Sequence, residues 1–243
     1  MDVRAPGGYT VVRPQNNPPV RKPKQRLFVE GGGDSKGTQL ASECRRAFQK
    51  MFEKAGIKEK PSVVVCGARE QAYQQFKAEL QNGNSLAWLL VDAEELAPAL
   101  KPGDSADPWK HVKDRDQWDK PSGATSEQLQ LMNVTMETWL LCDRDALRKN
   151  FGSKINESKL LPADSSLETK TKQDINNALA AAVKDTPSEE YSKGSHSFKI
   201  LADVNPTKLR STLFWADRFL LEMGAPMIEA GSASRQPVPP PLP

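Results

Sequence analysis

The sequence has few of the residues on which several common kinds of site depend. It contains two histidines, His111 and His196, and three cysteines, Cys44, Cys66 and Cys142. No Cys/His set has the spacing of a zinc site, and no histidine-centred catalytic triad is evident. Because the cysteines are odd in number, widely spaced and set among apolar residues, they predict reduced core positions of a cytosolic protein.

Long apolar runs are also missing. Hydrophobic residues make up 37% of the chain, and no run approaches the roughly 20 residues that a membrane-spanning helix needs. No signal peptide opens the sequence, so we expect a soluble, cytoplasmic protein. The net charge of +3 says little about partners. A basic cluster near positions 21–26 can attend phosphates, but such a cluster is also typical of a solvated surface.

Proline-rich and apolar-poor stretches lie at both ends of the 243-residue chain. Residues 1–25 predict a flexible basic arm, and residues 226–243 predict a proline-rich tail that is extended or disordered. The remaining residues, 26–225, have the size of one ordinary domain.

The first half of that domain alternates strand and helix patterns. Continuous apolar runs predict strands at Arg26–Val29, Ser62–Cys66 and Ser85–Val91. Amphipathic stretches between them predict helices at about Gln39–Ala55 and Arg69–Gln81. This βαβαβ order is typical of a parallel sheet with right-handed crossovers, which places the protein in the α/β class.

The second half is predicted to be mostly helical. Leu96–Gln130 is charged, contains several prolines and lacks clear periodicity, so it is interpreted as a long functional loop over the site. A fourth strand is predicted at Leu131–Val134. The helices predicted after it lie at about 136–142, 144–150 and 172–184, around 198–202, and at 206–223.

Acidic residues follow two of the predicted strands. Glu30 ends the first strand before three glycines and Asp34, and Asp92 ends the third strand before Glu94. Parallel strands deliver such residues to the carboxyl edge of the sheet, where α/β proteins bind ligands. Mg²⁺ prefers carboxylate oxygens, and two such ions can clamp a phosphodiester displacement. The alternative, in which these acids only cap the following helical turns, stays open.

A phosphate-binding loop is the other interpretation of GGGDSKGT. The Walker A pattern needs lysine after its last glycine, whereas Lys36 precedes Gly37. An acid at the strand end would also repel a bound triphosphate. The pattern therefore disfavours a nucleotide cradle.

Three segments carry a resemblance to a known family: VEGGGD, LLVDAEE and LMNVTMETWLLCD. Together they resemble TOPRIM-like proteins of a family of unknown function that is encoded beside ATPases in prokaryotic defence loci. Wider relatives are the TOPRIM nucleases of the overcoming-lysogenization-defect type. YSKGSHSFKIL and the helix after it also look like the C-terminal half of that family. The resemblance covers about residues 26–223.

The resemblance implies a TOPRIM-like, mostly parallel four-stranded sheet flanked by helices, with a helical C-terminal extension. Glu30 matches the TOPRIM glutamate, which is a metal ligand or general acid/base. Asp34 matches the aspartate four residues later, and Asp92 matches the first acid of Asp-x-Asp. The second acid is Glu94 here, a departure from the pattern that leaves Glu95 open as an alternative.

Two further residues come from the same resemblance. Glu137 is implied as a ligand of a second metal, although an acid in the first turn of a helix is also stabilised by the helix dipole alone. Lys193 resembles the late lysine of such nucleases, which stabilises the transition state.

The function implied is a nuclease that depends on Mg²⁺ or Mn²⁺, cuts DNA or RNA, and works with an ATPase partner in anti-phage defence. The alternative is a non-catalytic regulatory subunit of an ATPase complex. Primase or topoisomerase chemistry is disfavoured, because no additional catalytic domain and no suitably placed tyrosine are evident.

Overall fold

A computed structural model describes residues 23–31, 39–83, 85–97, 107–188, 190–194 and 196–227. Its centre is a four-stranded, all-parallel sheet with the strand order β2-β1-β3-β4. The strands are β1 (Lys24–Val29), β2 (Ser62–Val65), β3 (Ser85–Asp92) and β4 (Leu129–Met132). The predicted α/β class with a four-stranded sheet between helices is confirmed.

The helices lie on both faces of the sheet. In the described residues they are α1 (Gln39–Lys54), α2 (Arg69–Asn82), α3 (Pro108–Asp116), α4 (Met136–Leu141), α5 (Arg144–Phe151), α6 (Lys172–Val183), α7 (Ser197–Asp203), α8 (Pro206–Thr212) and α9 (Phe214–Glu222). None of these described helices is long and apolar enough to cross a membrane.

Alternation along the strands divides the core into two layers. Leu27 and Val29 pack with α1 and the C-terminal helices, whereas Phe28 between them packs with α2 and α3. Successive side chains of a strand point to opposite faces, so an unbroken apolar strand needs a cover on both sides. The side chains of Cys44, Cys66 and Cys142 are buried, as predicted for core positions.

Strand bounds differ slightly from the prediction. β1 begins two residues earlier, at Lys24, and β3 includes Asp92. β4 also begins two residues earlier than predicted and ends at Met132, because its register is set by pairing Leu89 with Leu129 and Asp92 with Met132.

Two predictions in the second half were wrong. The stretch 96–130 is not irregular throughout, because α3 lies within it, capped by the side chain of Asp107 with Pro108 at its start. The predicted helix 206–223 is two helices, since the backbone of Leu213 is extended and separates α8 from α9. Residues 1–22 and 228–243, which include most of the predicted arm and tail, lie outside the described residues.

Candidate functional site

Asp92 lies at the carboxyl edge of the sheet and is almost completely buried. Its Oδ1 accepts a hydrogen bond from the backbone N–H of Met136 at 2.8 Å, at the start of α4. Its Oδ2 lies 3.1 Å from the hydroxyl of Thr135. Burial raises the pKa of Asp92, although the ammonium of Lys193 opposes this. The carboxylate is therefore fixed in position by groups from the β4–α4 connection.

Glu137 is the second buried acid of this edge, with no exposed surface. Its Oε1 accepts a hydrogen bond from the hydroxyl of Tyr191 at 2.8 Å, and its Oε2 contacts the hydroxyl of Thr135. Burial and the neighbouring Glu137 raise the pKa of Tyr191, which therefore remains a protonated donor. Thr135 links the two acids, since its single proton is within reach of both Asp92 and Glu137.

Lys193 places a positive charge beside these two acids. Its Nζ lies 3.2 Å from Oδ2 of Asp92 and 3.7 Å from Oε2 of Glu137. Although burial works against its charged form, the carboxylates of Asp92 and Glu137 raise the pKa of Lys193. The ammonium thus stays charged and offsets part of the repulsion between two buried acids.

Glu30 lies beside Asp92, as the sheet register requires, since Val29 is paired with Leu90. Its Oε2 accepts hydrogen bonds from the backbone N–H of Asp92 and from a guanidinium nitrogen of Arg69, each at 3.3 Å. Burial and the nearby Asp92 raise the pKa of Glu30 to about 7, with Arg69 opposing. Glu30 and Asp92, predicted from separate strands, are therefore brought together at one edge.

Arg69 joins Glu30 to α3. Its Nε and Nη2 atoms donate to the two carboxylate oxygens of Asp116 at 3.1 and 2.7 Å, which is the bidentate geometry that arginine favours. It also donates to the carbonyl oxygen of Asp92, and its guanidinium lies 5.0 Å from the ring centroid of Trp118. The segment predicted to lie over the site thus contacts Glu30 through Arg69.

Glu94 and Glu95 differ clearly in their surroundings. Glu94 is half-buried and forms an ion pair with Lys172 of α6, whereas Glu95 is exposed. Burial would raise the pKa of Glu94, but the hydrogen bond and charge of Lys172 outweigh it and lower that pKa. Of the two, Glu94 lies close enough to Glu30 and Asp92 to influence their protonation.

The carboxylate oxygens of Glu30, Asp92 and Glu137 are ligands of the kind that a hard divalent cation binds, although they are not arranged as a preformed metal site. Across the residues that the structure describes, no three His, Cys, Asp or Glu side chains form a group ready to hold a metal ion. Asp34, a predicted ligand, lies outside those residues. Carboxylate oxygens are the ligands that Mg²⁺ prefers, and the ammonium of Lys193 already places a positive charge between Asp92 and Glu137. Mg²⁺ is therefore compatible with Glu30, Asp92 and Glu137.

Comparison with protein families supplies one match. A family model described as a domain of unknown function, DUF4276, matches residues 29–224. The chain belongs to the DUF4276 family. The matched region of this DUF4276 protein runs from the end of β1 past α9, so it includes all of the site residues described above. No curated protein and no solved structure matches the chain.

Arg69, Thr135 and Tyr191 are among the site residues of this DUF4276 protein that were not predicted. A signal for Arg69 existed, because it follows β2 as Glu30 follows β1 and therefore reaches the same sheet edge. Thr135 and Tyr191 stand two residues from Glu137 and Lys193, within segments already singled out. His196 is half-buried, and its Nδ1 accepts a hydrogen bond from the N–H of Ser192 at 2.9 Å.

Proposed function

We propose that this protein is a metal-dependent nuclease that hydrolyses phosphodiester bonds of DNA or RNA. In such hydrolysis, the oxygen of water forms a bond to phosphorus, the bond to the leaving oxygen breaks, and a proton passes to that oxygen. A divalent cation, when bound, stabilises the negative charge that develops on the phosphate. Glu30, Asp92 and Glu137 are the residues that would hold it.

One observation carries the proposal: the buried carboxylates of Asp92 in β3 and Glu137 in α4 converge on one point, since the ammonium of Lys193 lies 3.2 and 3.7 Å from their oxygens. Buried acids from separate elements repel each other, and holding them together has a cost unless a cation is bound. The site gathers such acids at the sheet edge where α/β proteins bind ligands.

The other residues have supporting roles in the proposal. Thr135 and the N–H of Met136 orient Asp92, and Arg69 fixes the carboxylate of Glu30. The side chain of Lys193 is 55% exposed, so its ammonium can turn to a phosphate oxygen when substrate arrives. Donors aimed at developing charge are among the largest contributions to catalysis. Glu94 and, outside the described residues, Asp34 complete the set of acids that the TOPRIM resemblance implies.

The biological setting is proposed from the resemblance. It places the protein in the cytoplasm as the effector of an anti-phage defence system, in which an ATPase partner controls cleavage. The contacts of the described residues are compatible with an isolated subunit held inactive, because Lys193 and Arg69 already neutralise the acids.

The test is incubation of purified protein with plasmid, single-stranded DNA and tRNA in Mg²⁺ or Mn²⁺, alone and with the ATPase partner. Wild type is compared with Glu30→Ala and Asp92→Ala. We expect cleavage to fall at least 100-fold in both variants, because each removes a carboxylate from the cation position. Glu95→Ala is the matched control, since Glu95 is an exposed acid three residues from Asp92. Cleavage that survives both site substitutions would remove the assignment.

A non-catalytic regulatory subunit is the second candidate. It is favoured by three ion pairs in which described acids contact cationic side chains: Glu30 with Arg69, Asp92 with Lys193 and Glu94 with Lys172. In that case the cluster would stabilise the fold without binding a metal. Co-purification with an ATPase, no divalent-cation binding, and no cleavage by the assembled complex would favour this function over hydrolysis.

A further inference from the structure

A cavity of about 230 Å³ opens beside the acidic edge of the sheet. We call it the edge cavity. Its polar end is formed by Glu30, Asp92 and Lys193, which are the residues proposed to act on a phosphate. The edge cavity is therefore continuous with the proposed reaction centre.

The remaining part of the edge cavity is apolar. Leu40 of α1, Met136 of α4 and Phe198 of α7 line it, together with Met132 at the end of β4. Leu40 is half-buried, whereas the other three are buried against the core. A wall with two methionines and one aromatic ring offers polarisable surface, which packs well against flat aromatic groups.

Two glycines keep the edge cavity open. A Cβ atom at Gly194 would lie 3.3 and 3.4 Å from the methyl carbons of Leu40, and one at Gly31 would lie 3.8 Å from the ring of Phe198. Pockets for drug-sized ligands have volumes of roughly 300–1,000 Å³. The edge cavity is smaller, so it suits one planar ring system and not a whole nucleotide.

We propose that the edge cavity binds one unstacked base of a single-stranded nucleic acid, next to the phosphate that is cut. The inference rests on the proposed nuclease function and names its substrate class. The apolar wall takes the face of the base, and Lys193 at the polar end attracts the adjoining phosphate. One residue thus joins the base subsite to the reaction centre.

A base that remains in a duplex cannot lay its face against the apolar lining of the edge cavity. A paired base is covered on both faces by its neighbours, and an enzyme reaches it only by flipping it out, which costs a few kcal/mol. Single strands have no such cost, and stacking of a base on an aromatic side chain contributes about 1–3 kcal/mol to their binding. The edge cavity therefore favours single strands, loops and ends over duplex.

The test measures binding separately from cleavage. Fluorescence anisotropy of labelled oligonucleotides is recorded with the Glu30→Gln protein in Mg²⁺, for a single strand and for the same sequence as a duplex. We expect the single strand to bind at least tenfold more tightly. A single strand with one abasic position at the cleavage site should bind several-fold more weakly than the intact strand.

A filled edge cavity supplies the matched comparison. Leu40→Trp places an indole in the cavity, and Gln39→Trp places one on the exposed neighbouring position of α1. We expect only Leu40→Trp to weaken single-strand binding, about tenfold, and to make the intact and abasic strands bind alike. Circular dichroism and thermal unfolding verify that both variants are folded, and Gly194→Ala, which narrows the cavity from the other side, gives a second measurement.

The outcomes separate this inference from the proposed function. If wild type cleaves nucleic acid but Leu40→Trp and Gly194→Ala bind single strands as wild type does, the base subsite is wrong and the nuclease stands. If single strands bind and Leu40→Trp weakens that binding, yet no cleavage occurs with Mg²⁺ or Mn²⁺, the base subsite is correct and the proposed nuclease function is wrong. Equal affinity for single strand and duplex overturns the inference.

Discussion

The ammonium nitrogen of Lys193 lies 3.2 Å from Oδ2 of Asp92, so a side chain of the chain itself supplies the positive charge at the acidic edge. A divalent cation bound as proposed would compete with this ammonium for the same carboxylate oxygens. Binding of the cation therefore requires that Lys193 move away, and the exposed half of its side chain gives it room to do so.

Lys193→Met tests this competition, because it keeps the length of the side chain and removes its charge. We expect the metal-free variant to be about 1–2 kcal/mol less stable, since a buried carboxylate loses its partner and half of the lysine is already solvated. Mn²⁺ should bind about tenfold more tightly, while cleavage is lost. Urea unfolding and electron paramagnetic resonance of Mn²⁺ measure the two effects.

Lys172→Met is the control for Lys193→Met, since Lys172 pairs with the half-buried Glu94 and not with Asp92. It should change Mn²⁺ affinity less. An unchanged or weaker affinity in Lys193→Met would show that the ammonium does not occupy the cation position, and Lys193 would then keep only its proposed role towards the phosphate.

Thr135 provides a second prediction, because its hydroxyl is shared between Asp92 and Glu137. Thr135→Val has nearly the same shape without the hydroxyl, and it removes the one hydroxyl proton that is within reach of both acids. We expect a loss of about 1–3 kcal/mol in the free energy of unfolding, which is the usual cost of an unsatisfied buried polar group. Thr135→Ser keeps the hydroxyl and should lose much less stability. Equal losses of stability in both variants would assign the effect to packing of the methyl group.

Asp116 provides a third prediction, since α3 is held to the site through its bidentate contact with Arg69. The two side chains are 12% and 13% exposed, so Asp116→Ala leaves a largely buried guanidinium with Glu30 and the carbonyl oxygen of Asp92 as partners. We expect the free energy of unfolding to fall by about 2–4 kcal/mol and the amides of α3 to exchange hydrogen faster. Asp114→Ala breaks an exposed pair with Lys110 on the same helix and should leave the free energy of unfolding almost unchanged. Slow exchange that persists in α3 of Asp116→Ala would show that packing alone holds the helix.

The position of the acids could be predicted from the sequence, whereas their partners could not. Glu30 and Asp92 each follow an apolar strand, and parallel strands end at one edge, so local pattern and topology were enough. Tyr191 and Lys193 reach Glu137 from a segment more than fifty residues away. That contact depends on how the C-terminal helices pack, and single-sequence periodicity contains no information about such packing.

Helix α3 was not predicted, because the segment is highly charged, although local sequence features do indicate a helix there. Asp107 and Pro108 form a start, and Trp109 and Val112 are three residues apart on its buried side. The break at Leu213 had no such signal, since neither Gly nor Pro stands there. It follows from Glu168, whose carboxylate accepts hydrogen bonds from the N–H groups of Phe214 and Trp215 at 2.9 and 3.0 Å and so starts a new helix.

Glu168 also gives a prediction about pH. Burial raises the pKa of this carboxyl from 4.5 to about 7, although the N–H groups of Trp215 and Phe214 oppose the shift. The folded state therefore binds the proton more tightly than the unfolded state. The stabilisation is fully present below pH 4.5 and is lost as the pH rises through about 7, and at about 1.4 kcal/mol per pKa unit it amounts to about 3 kcal/mol.

Urea unfolding of wild type and Glu168→Gln between pH 5 and pH 8 tests this. Glutamine keeps the size of the side chain and one acceptor oxygen but does not titrate in this range. We expect wild type to lose more stability than Glu168→Gln as the pH rises, so that the difference between them changes by about 2–3 kcal/mol across the range. Glu30 titrates in both proteins and cancels in that difference. If the two stability curves stay parallel, the start of α9 holds Glu168 as a carboxylate throughout, and its N–H groups outweigh burial.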